Sequence, residues 1–221
     1  MNIALIAATR KEIQPTLTYL NERIYLRKHQ RVETIITGVG MMNTTYTLAK
    51  YFTREKPTLA IQAGIAGTLH RIYAPGMVVC VKEDMLGDLG VVENNEWKDV
   101  FDLGLAEENT LPWFQKKLVN PHRDLFSKLQ LECVRSISVN QVSTNVEAIR
   151  KMKEKYMPVI ESMEGAAFHY VCLMEKIPFI QIRAISNMVG ERNKSCWKTY
   201  EAINALNEEL IKYINQVTDL Y

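Results

Sequence analysis

Short apolar segments alternate with helix-period segments through most of this chain, and that alternation limits the fold more than any other feature of the sequence. Asn2–Ala7, Val32–Thr37, Thr58–Ala63, Met77–Lys82, Leu131–Val139, Val159–Met163 and Pro178–Ser186 read as strands, with a further short one at Arg23–Leu26. Lys11–Leu20, 41–55 and Val146–Tyr156 read as helices between them. Met41, Thr45, Leu48 and Phe52 recur at helical spacing and give the second helix one buried face. Gly165–Glu175 is apolar nearly all round, which predicts a helix inside the domain. The C-terminal helix carries Ile203, Leu206, Leu210, Tyr213 and Val217 on one stripe. Strands interleaved with helices imply an α/β fold with helices on both faces of the sheet.

Composition narrows the class. With 221 residues, 47% apolar and 24% charged, the chain is sized for one domain, over residues 1–221, with a full core. Its 27 basic and 25 acidic residues leave a net charge of +2, which gives no general reason to expect nucleic acid or an anionic membrane as partner. No apolar run approaches a membrane span, and Met1–Ala8 is cut off by Arg10 and Lys11 before it could act as a signal segment. Cys80, Cys133, Cys172 and Cys196 are scattered, so they read as reduced thiols of a cytoplasmic protein. The four histidines show no ligand spacing, so no metal is expected.

One stretch breaks the pattern. Residues 83–125 hold Trp97, Trp113 and little periodicity, and read as an irregular excursion packed over a site or over a partner subunit.

The chemistry-bearing residues fall at strand ends. Gly38-Val-Gly40 opens a helix, but Asn43 stands where a dinucleotide fingerprint needs its third glycine. A tight turn bringing backbone close to a smaller ligand fits better. Gly64-Ile-Ala-Gly67 closes the strand Thr58–Ala63, and its small residues, Ala66 and Gly67 among them, let a ligand approach. Glu12 lies near the start of the first helix, where a carboxylate also stabilises the terminus. Glu164 sits between an apolar strand and an apolar helix with only Gly165 as spacer, a costly place for a charge unless it is paired or faces a polar ligand. Glu161 reads as a solvated strand-end charge, and His169 as a core residue. Asn187 ends the next strand, so Glu12, Glu164 and Asn187 could converge on one crevice.

Ile160-Glu-Ser-Met-Glu-Gly-Ala-Ala, followed by Pro178-Phe-Ile-Gln-Ile-Arg-Ala-Ile-Ser-Asn187, resembles the purine nucleoside phosphorylase and nucleosidase superfamily. The two glycine motifs match in order, so the resemblance spans nearly the whole chain. Glu161–Tyr170, Asn187–Ser195 and Trp197 resemble the futalosine hydrolase branch. The resemblance implies a nucleoside phosphorylase-like fold, a single domain with a twisted mixed central sheet flanked by helices on both faces. It implies no cofactor, a small-molecule nucleoside as partner, and a homodimer or higher homo-oligomer.

It also implies roles. Glu12 would position and deprotonate a water, Glu164 would accept hydrogen bonds from the ribose 2′- and 3′-hydroxyls, and Met163 would pack on the sugar. Asn187 would face N7 and the 6-substituent of the purine, Gly40, Ala66 and Gly67 would line the site, and Trp197 would close it. Arg192 and Lys194 read as a solvated charge run or as contacts for the benzoate of futalosine. Relatives place a phenylalanine under the purine in the segment matching Val142–Asn145, where none stands here. The activity implied is release of hypoxanthine from futalosine, in the futalosine route to menaquinone. The alternatives are a nucleosidase for aminodeoxyfutalosine or methylthioadenosine/S-adenosylhomocysteine, a phosphorylase, or a non-catalytic nucleoside binder.

Overall fold

The computed structural model describes residues 1–23 and 31–219. Its centre is a pair of long parallel strands, β3 (Leu59–Thr68) and β10 (Phe179–Met188), paired from Phe179 opposite Ala60 to Met188 opposite Thr68. The other edge of β3 is shared. β1 (Asn2–Ala7) pairs with its first half in parallel, and β9 (Ile160–Ser162) pairs antiparallel at Gly67 and Thr68. β4 (Val78–Asp84) runs antiparallel to β10, β8 (Glu132–Ser138) parallel to β4, and β9 parallel to β8. The strands β3, β10, β4, β8 and β9 therefore close into a ring, and β1 with β2 (Arg31–Ile36) extends from it as a wing. The sheet is mixed, as expected; its closure was not legible in the sequence.

Helices cover both faces because β1 and β3 bury both of theirs. Ile3 and Leu5 join one core with α1 (Arg10–Glu22) and α6 (Thr199–Asp219). The alternate residues Ala4 and Ile6 join another with α2 (Met41–Phe52) and α5 (Gly165–Glu175). The helix α4 (Val146–Tyr156) is capped by Asn145, whose side chain accepts the Ala148 N–H at 2.9 Å. α5 is buried from Gly165 through His169, as its all-round apolar sequence predicts.

Three expectations are adjusted. Gly64-Ile-Ala-Gly67 does not end β3; the strand runs through it, because β10 and β9 supply partners on both edges there. Of the strand expected at Arg23–Leu26, residues 24–26 lie outside the described residues, and Arg23 is the C-cap of α1. The excursion over 83–125 is more ordered than its sequence suggested. It holds a hairpin of β5 (Gly90–Glu93) and β6 (Glu96–Asp99) turned by Asn94 and Asn95 at positive φ, then β7 (Leu118–Val119) against β4, and it leads into the short helix α3 (Arg123–Ser127). Trp97 donates to the Tyr156 hydroxyl at 2.8 Å, and Trp113 packs edge-on to Phe101 and beside Tyr170, so both tryptophans tie the excursion to the body of the fold.

Gly64 shows how tightly the upper end of β3 is filled. A Cβ there would lie 2.5 Å from Arg183 Nη1 and 3.0 Å from Glu12 Oε1. Gly64→Ala is therefore expected to lower stability by about 1–3 kcal/mol, as overpacking of a filled site does. Urea denaturation checks this; an unchanged midpoint would mean that both side chains move aside freely.

Candidate active site

A cavity of about 400 Å³ opens at the carboxyl ends of β1, β3 and β10, where open α/β sheets place their ligands. A larger opening of about 540 Å³ lies beside it, between the β5–β6 hairpin and α4, and shares Val142 with it. The smaller cavity is the chemical one, because Glu12, Glu161, Glu164 and Asn187 all reach its wall.

Glu164 is the N-cap of α5 and is 5% exposed. Its Oε1 accepts the Gly40 N–H at 3.0 Å, and its Oε2 faces Arg183 Nη1 at 3.5 Å. The Gly38-Val-Gly40 turn thus serves as backbone support for this carboxylate. Gly38 and Gly40 adopt φ of +83° and +95°, which side-chain-bearing residues rarely take. Arg183 is itself 1% exposed and donates to Gln62 Oε1 at 3.0 Å and to Ile65 O at 3.5 Å. The pair satisfies the condition that the sequence position of Glu164 imposed: a buried charge with a partner.

Glu12 performs two tasks at once. Its Oε2 accepts the Thr9 N–H at 3.0 Å and the Thr9 hydroxyl at 2.8 Å, which closes the start of α1. Its Oε1 accepts the Ile65 N–H at 3.1 Å, which fixes the carboxylate at the cavity wall. The helix-terminus reading describes it, and the same carboxylate also stands in the cavity wall.

Asn187 owes its position to an irregularity. The β10–β3 register shifts between Ile185 and Asn187, so Ser186 is bulged and Asn187 is re-aimed beside Gly67. Its Oδ1 accepts the Ser186 hydroxyl at 2.7 Å, and its Nδ2 donates to Met188 O at 2.8 Å. Each end keeps capacity for one further hydrogen bond.

The fold brings Glu12, Ala66, Gly67, Met163, Glu164, Asn187 and Trp197 to one cavity. Gly40 stands one hydrogen bond behind it. Arg192 is outside the wall, exposed, with its guanidinium carbon 5.7 Å from the centre of the Trp197 ring. No residue of the 83–125 excursion lines the cavity, so within this chain the excursion does not cover it. Trp197 is the aromatic side chain in the wall, and Val142 is what the segment 142–145 contributes. Glu161 corrects the sequence reading: it is 6% exposed rather than solvated. Sequence reasoning gave Arg183 no role, although a lone charge in the buried strand Phe179–Met188 carries the same signal as Glu164.

Beneath the cavity lies a buried polar layer. Asp84 Oδ1 accepts the Met85 N–H at 2.8 Å and the Ser138 hydroxyl at 2.9 Å, and Ser138 Oγ in turn accepts the Ala166 N–H in the first turn of α5 at 2.8 Å. Burial pushes the Asp84 carboxyl up to about 6, against the pull of these hydrogen bonds and of Arg183. His169, on α5, contacts Leu118 O through Nδ1 at 2.9 Å, and burial pushes it down to about 4, so it is a neutral core residue as expected. Among the described residues, no group of three or more His, Cys, Asp or Glu side chains could hold a metal ion, and no helix is long and apolar enough to cross a membrane.

This arrangement defines a known class. The phosphorylase superfamily model matches residues 3–217, and the chain belongs to that superfamily. It is 31% identical over 172 residues to a futalosine hydrolase of Thermus thermophilus, covering 77% of this chain and 75% of the relative. It is 24% identical over 212 residues to a 5′-methylthioadenosine/S-adenosylhomocysteine nucleosidase of Listeria welshimeri, covering 86% and 88%. Among solved structures, the same nucleosidase from Neisseria meningitidis, in complex with methylthio-immucillin-A, superposes with a TM-score of 0.76 at 18% identity over 97% of this chain and 99% of that one. The futalosine hydrolase of Helicobacter pylori superposes with a TM-score of 0.73 at 16% identity over 98% of each chain. These two likenesses speak to the fold. Within the superfamily the chain is an enzyme of the N-glycosyl hydrolase kind.

Asp84 gives the site a pH signature. Its folded-state value lies above the unfolded one, so its favourable contribution is complete below about pH 4 and is lost as pH rises through about 6. Replacing it by Asn keeps an acceptor for Ser138 and Met85 but removes the titration. The stability of Asp84→Asn relative to the wild type is expected to rise by up to about 3 kcal/mol between pH 4 and pH 7. Urea unfolding of both proteins across that window measures it; a flat difference would place Asp84 at an ordinary carboxyl value.

Proposed function

We propose that this protein hydrolyses the N-glycosidic bond of futalosine, releasing hypoxanthine and leaving dehypoxanthine futalosine, a reaction of the futalosine route to menaquinone. The observation that carries the reading is the pair of buried carboxylates, Glu12 and Glu164, held in one cavity by different direct partners. Cleaving such a bond builds positive charge on the ribose, and the two carboxylates divide the work. Glu12 holds and deprotonates the attacking water. Glu164 accepts the 2′- and 3′-hydroxyls, with Met163 against the sugar. Asn187 meets N7 and the 6-substituent of the base, Gly67 lies beneath it, and Trp197 borders the open side. The futalosine hydrolase relative at 31% identity supports the choice of substrate. A phosphorylase would need a cradle for an anion, and Lys11 is the one cation in the cavity wall among the described residues. A homodimer or higher homo-oligomer belongs to the same reading. It is supported by Met42 and Tyr46, which are 85% and 68% exposed on one face of α2 next to Val39 in the cavity wall.

The second reading is an aminodeoxyfutalosine or methylthioadenosine/S-adenosylhomocysteine nucleosidase, favoured by the similarity to the Listeria nucleosidase along most of the chain. Asn187 weighs against it. Adenine leaving with a proton on N7 presents two donors, N7–H and the 6-amino group; a carboxylate accepts both and an amide does not. A 6-oxopurine presents a donor and an acceptor, which the amide matches.

Two measurements test the reading. Glu12→Gln is expected to lower kcat on futalosine by about 10²-fold or more with KM little changed. Turnover near the wild-type rate would take Glu12 out of the mechanism. For Asn187, the ratio of kcat/KM for futalosine and its 6-amino counterpart is expected to favour the 6-oxo substrate. Asn187→Asp should shift that ratio toward the 6-amino substrate by about 1–3 kcal/mol, the cost of an acceptor facing O6. A ratio untouched by the substitution would move the assignment to the second reading.

A further inference from the structure

The turn of α1 that carries Glu12 is incompletely bonded by its own helix. Pro15 lies inside α1. It has no N–H, so the Lys11 carbonyl, one helical rung back, lacks its usual donor. The next rung joins the Glu12 carbonyl and the Thr16 N–H. Both groups of that rung are engaged by one side chain from another helix. Asn207, on α6, donates from Nδ2 to Glu12 O at 2.8 Å and accepts the Thr16 N–H at Oδ1 at 3.0 Å.

The amide of Asn207 has no bonding capacity left. Its Oδ1 also accepts the Thr16 hydroxyl at 2.6 Å, and its other Nδ2 hydrogen goes to Ile203 O at 2.7 Å. Both donors and both acceptor positions are filled, and an amide turned end for end would lose every one of them. Asn207 and Thr16 are 2% and 0% exposed. Packing of α1 on α6 gives no reason for an amide here, since Ile13 and Leu17 already share a core with Leu206 and Leu210. With an apolar residue at this place the rung could close on itself as in any helix. The two residues that receive its N–H groups, Glu12 and Ile203, both stand in the cavity wall, as do Trp197 and Thr199 at the start of α6. One side chain thus joins the turn that bears Glu12 to the end of α6 that borders the cavity.

The consequence for the chemistry is geometric. A carboxylate that aims a water at a reacting carbon tolerates displacement poorly, and a misplacement of about 1 Å costs on the order of 10²-fold in rate. The Glu12 side chain is aimed by Thr9 and Ile65, while its main chain is gripped from α6. We propose that Asn207 is a positioning residue for Glu12: its amide fixes the turn of α1 that carries the water-holding carboxylate and ties that turn to the α6 wall of the cavity. Asn207 is not itself in the cavity wall, so it acts through Glu12. This rests on the role given to Glu12 in the nucleosidase reading above, and it applies to whichever nucleoside the site cleaves.

The test pairs steady-state kinetics with amide hydrogen exchange read by NMR. The Ile65 N–H reports where the Glu12 carboxylate lies, because Oε1 accepts it, and Ile61, deeper in the same strand, reports overall stability. Asn207→Ala is expected to raise exchange at Ile65 relative to Ile61 by about ten-fold. It should lower kcat on the nucleoside that the wild type cleaves by about ten-fold, with KM within about two-fold. Added to Glu12→Gln, the same substitution should change kcat by less than about two-fold, since the group it positions is already gone. An unchanged exchange ratio overturns the proposal, as does a kcat loss of equal size in the Glu12→Gln background. If Asn207→Ala does not fold, Thr16→Val and Thr16→Ser replace it, the first removing the hydroxyl that Asn207 accepts and the second keeping it. Thr16→Val should raise the exchange ratio by about three-fold or more, the scale of one lost hydrogen bond, and Thr16→Ser should leave it near the wild-type value. Equal ratios in the two overturn the proposal. If the wild type cleaves neither futalosine nor its 6-amino counterpart, the proposed reaction falls, and the exchange ratio by itself upholds or overturns the grip of Asn207 on Glu12. Futalosine turnover indifferent to Asn207, with an unchanged exchange ratio, leaves the reaction standing and removes this inference.

Discussion

The guanidinium of Arg183 is the constraint around which the upper half of this molecule is arranged. It is 1% exposed in the middle of the longest strand pair, where a positive charge must find partners inside the protein. It finds them on two segments: Gln62 and the Ile65 carbonyl on β3, and Glu164 at the junction of β9 and α5. Gly64 is a glycine because that guanidinium fills the space a side chain would take. The Gly38-Val-Gly40 turn then completes the shell from outside by giving the other oxygen of Glu164 a backbone donor. One buried cation thus sets which residue β3 can carry, where α5 begins and how its first carboxylate is held.

The second carboxylate is fastened by different means. Glu12 makes no ion pair among the described residues, and backbone N–H groups and one hydroxyl take its oxygens. Those donors come from the end of β1 and from β3, so the strand that precedes α1 and the strand beside it fix the geometry together. The two acidic groups have different direct partners, but their supports meet at Ile65, whose N–H is taken by Glu12 and whose carbonyl is taken by Arg183.

The sequence showed the elements more clearly than their closure. α4 and α5 begin and end where periodicity and apolar content put them, because one has a polar face and caps and the other is buried over its first half. Glu164 was legible because its neighbours on both sides are apolar, and Glu12 and Asn187 because each sits at a strand end. Three things were hidden. The ring closes through two residue pairs between β3 and β9, a contact too short to leave a pattern. Glu161 looks like any strand-end charge until Ser143 and Gly67 are seen around it. The order of residues 83–125 comes from long-range anchors, such as the Tyr156 hydroxyl donating to Asp99 at 3.1 Å, which local composition does not record.

The two ends of the cavity differ in how deeply they are wired, and this has a consequence for how such a chain can diverge. Glu164 is linked through Arg183 to Gln62 and to the strand pair at the heart of the fold, so its replacement disturbs residues that the core depends on. Asn187 and Glu161 hold only near neighbours: Ser186 and Met188 for one, Ser143 for the other. A lineage can exchange either of them by a single codon change and keep its architecture. Drift in this scaffold is thus free at one end of the cavity and locked at the other, so descendants can share a fold and the wiring of the locked end while the walls of the free end differ.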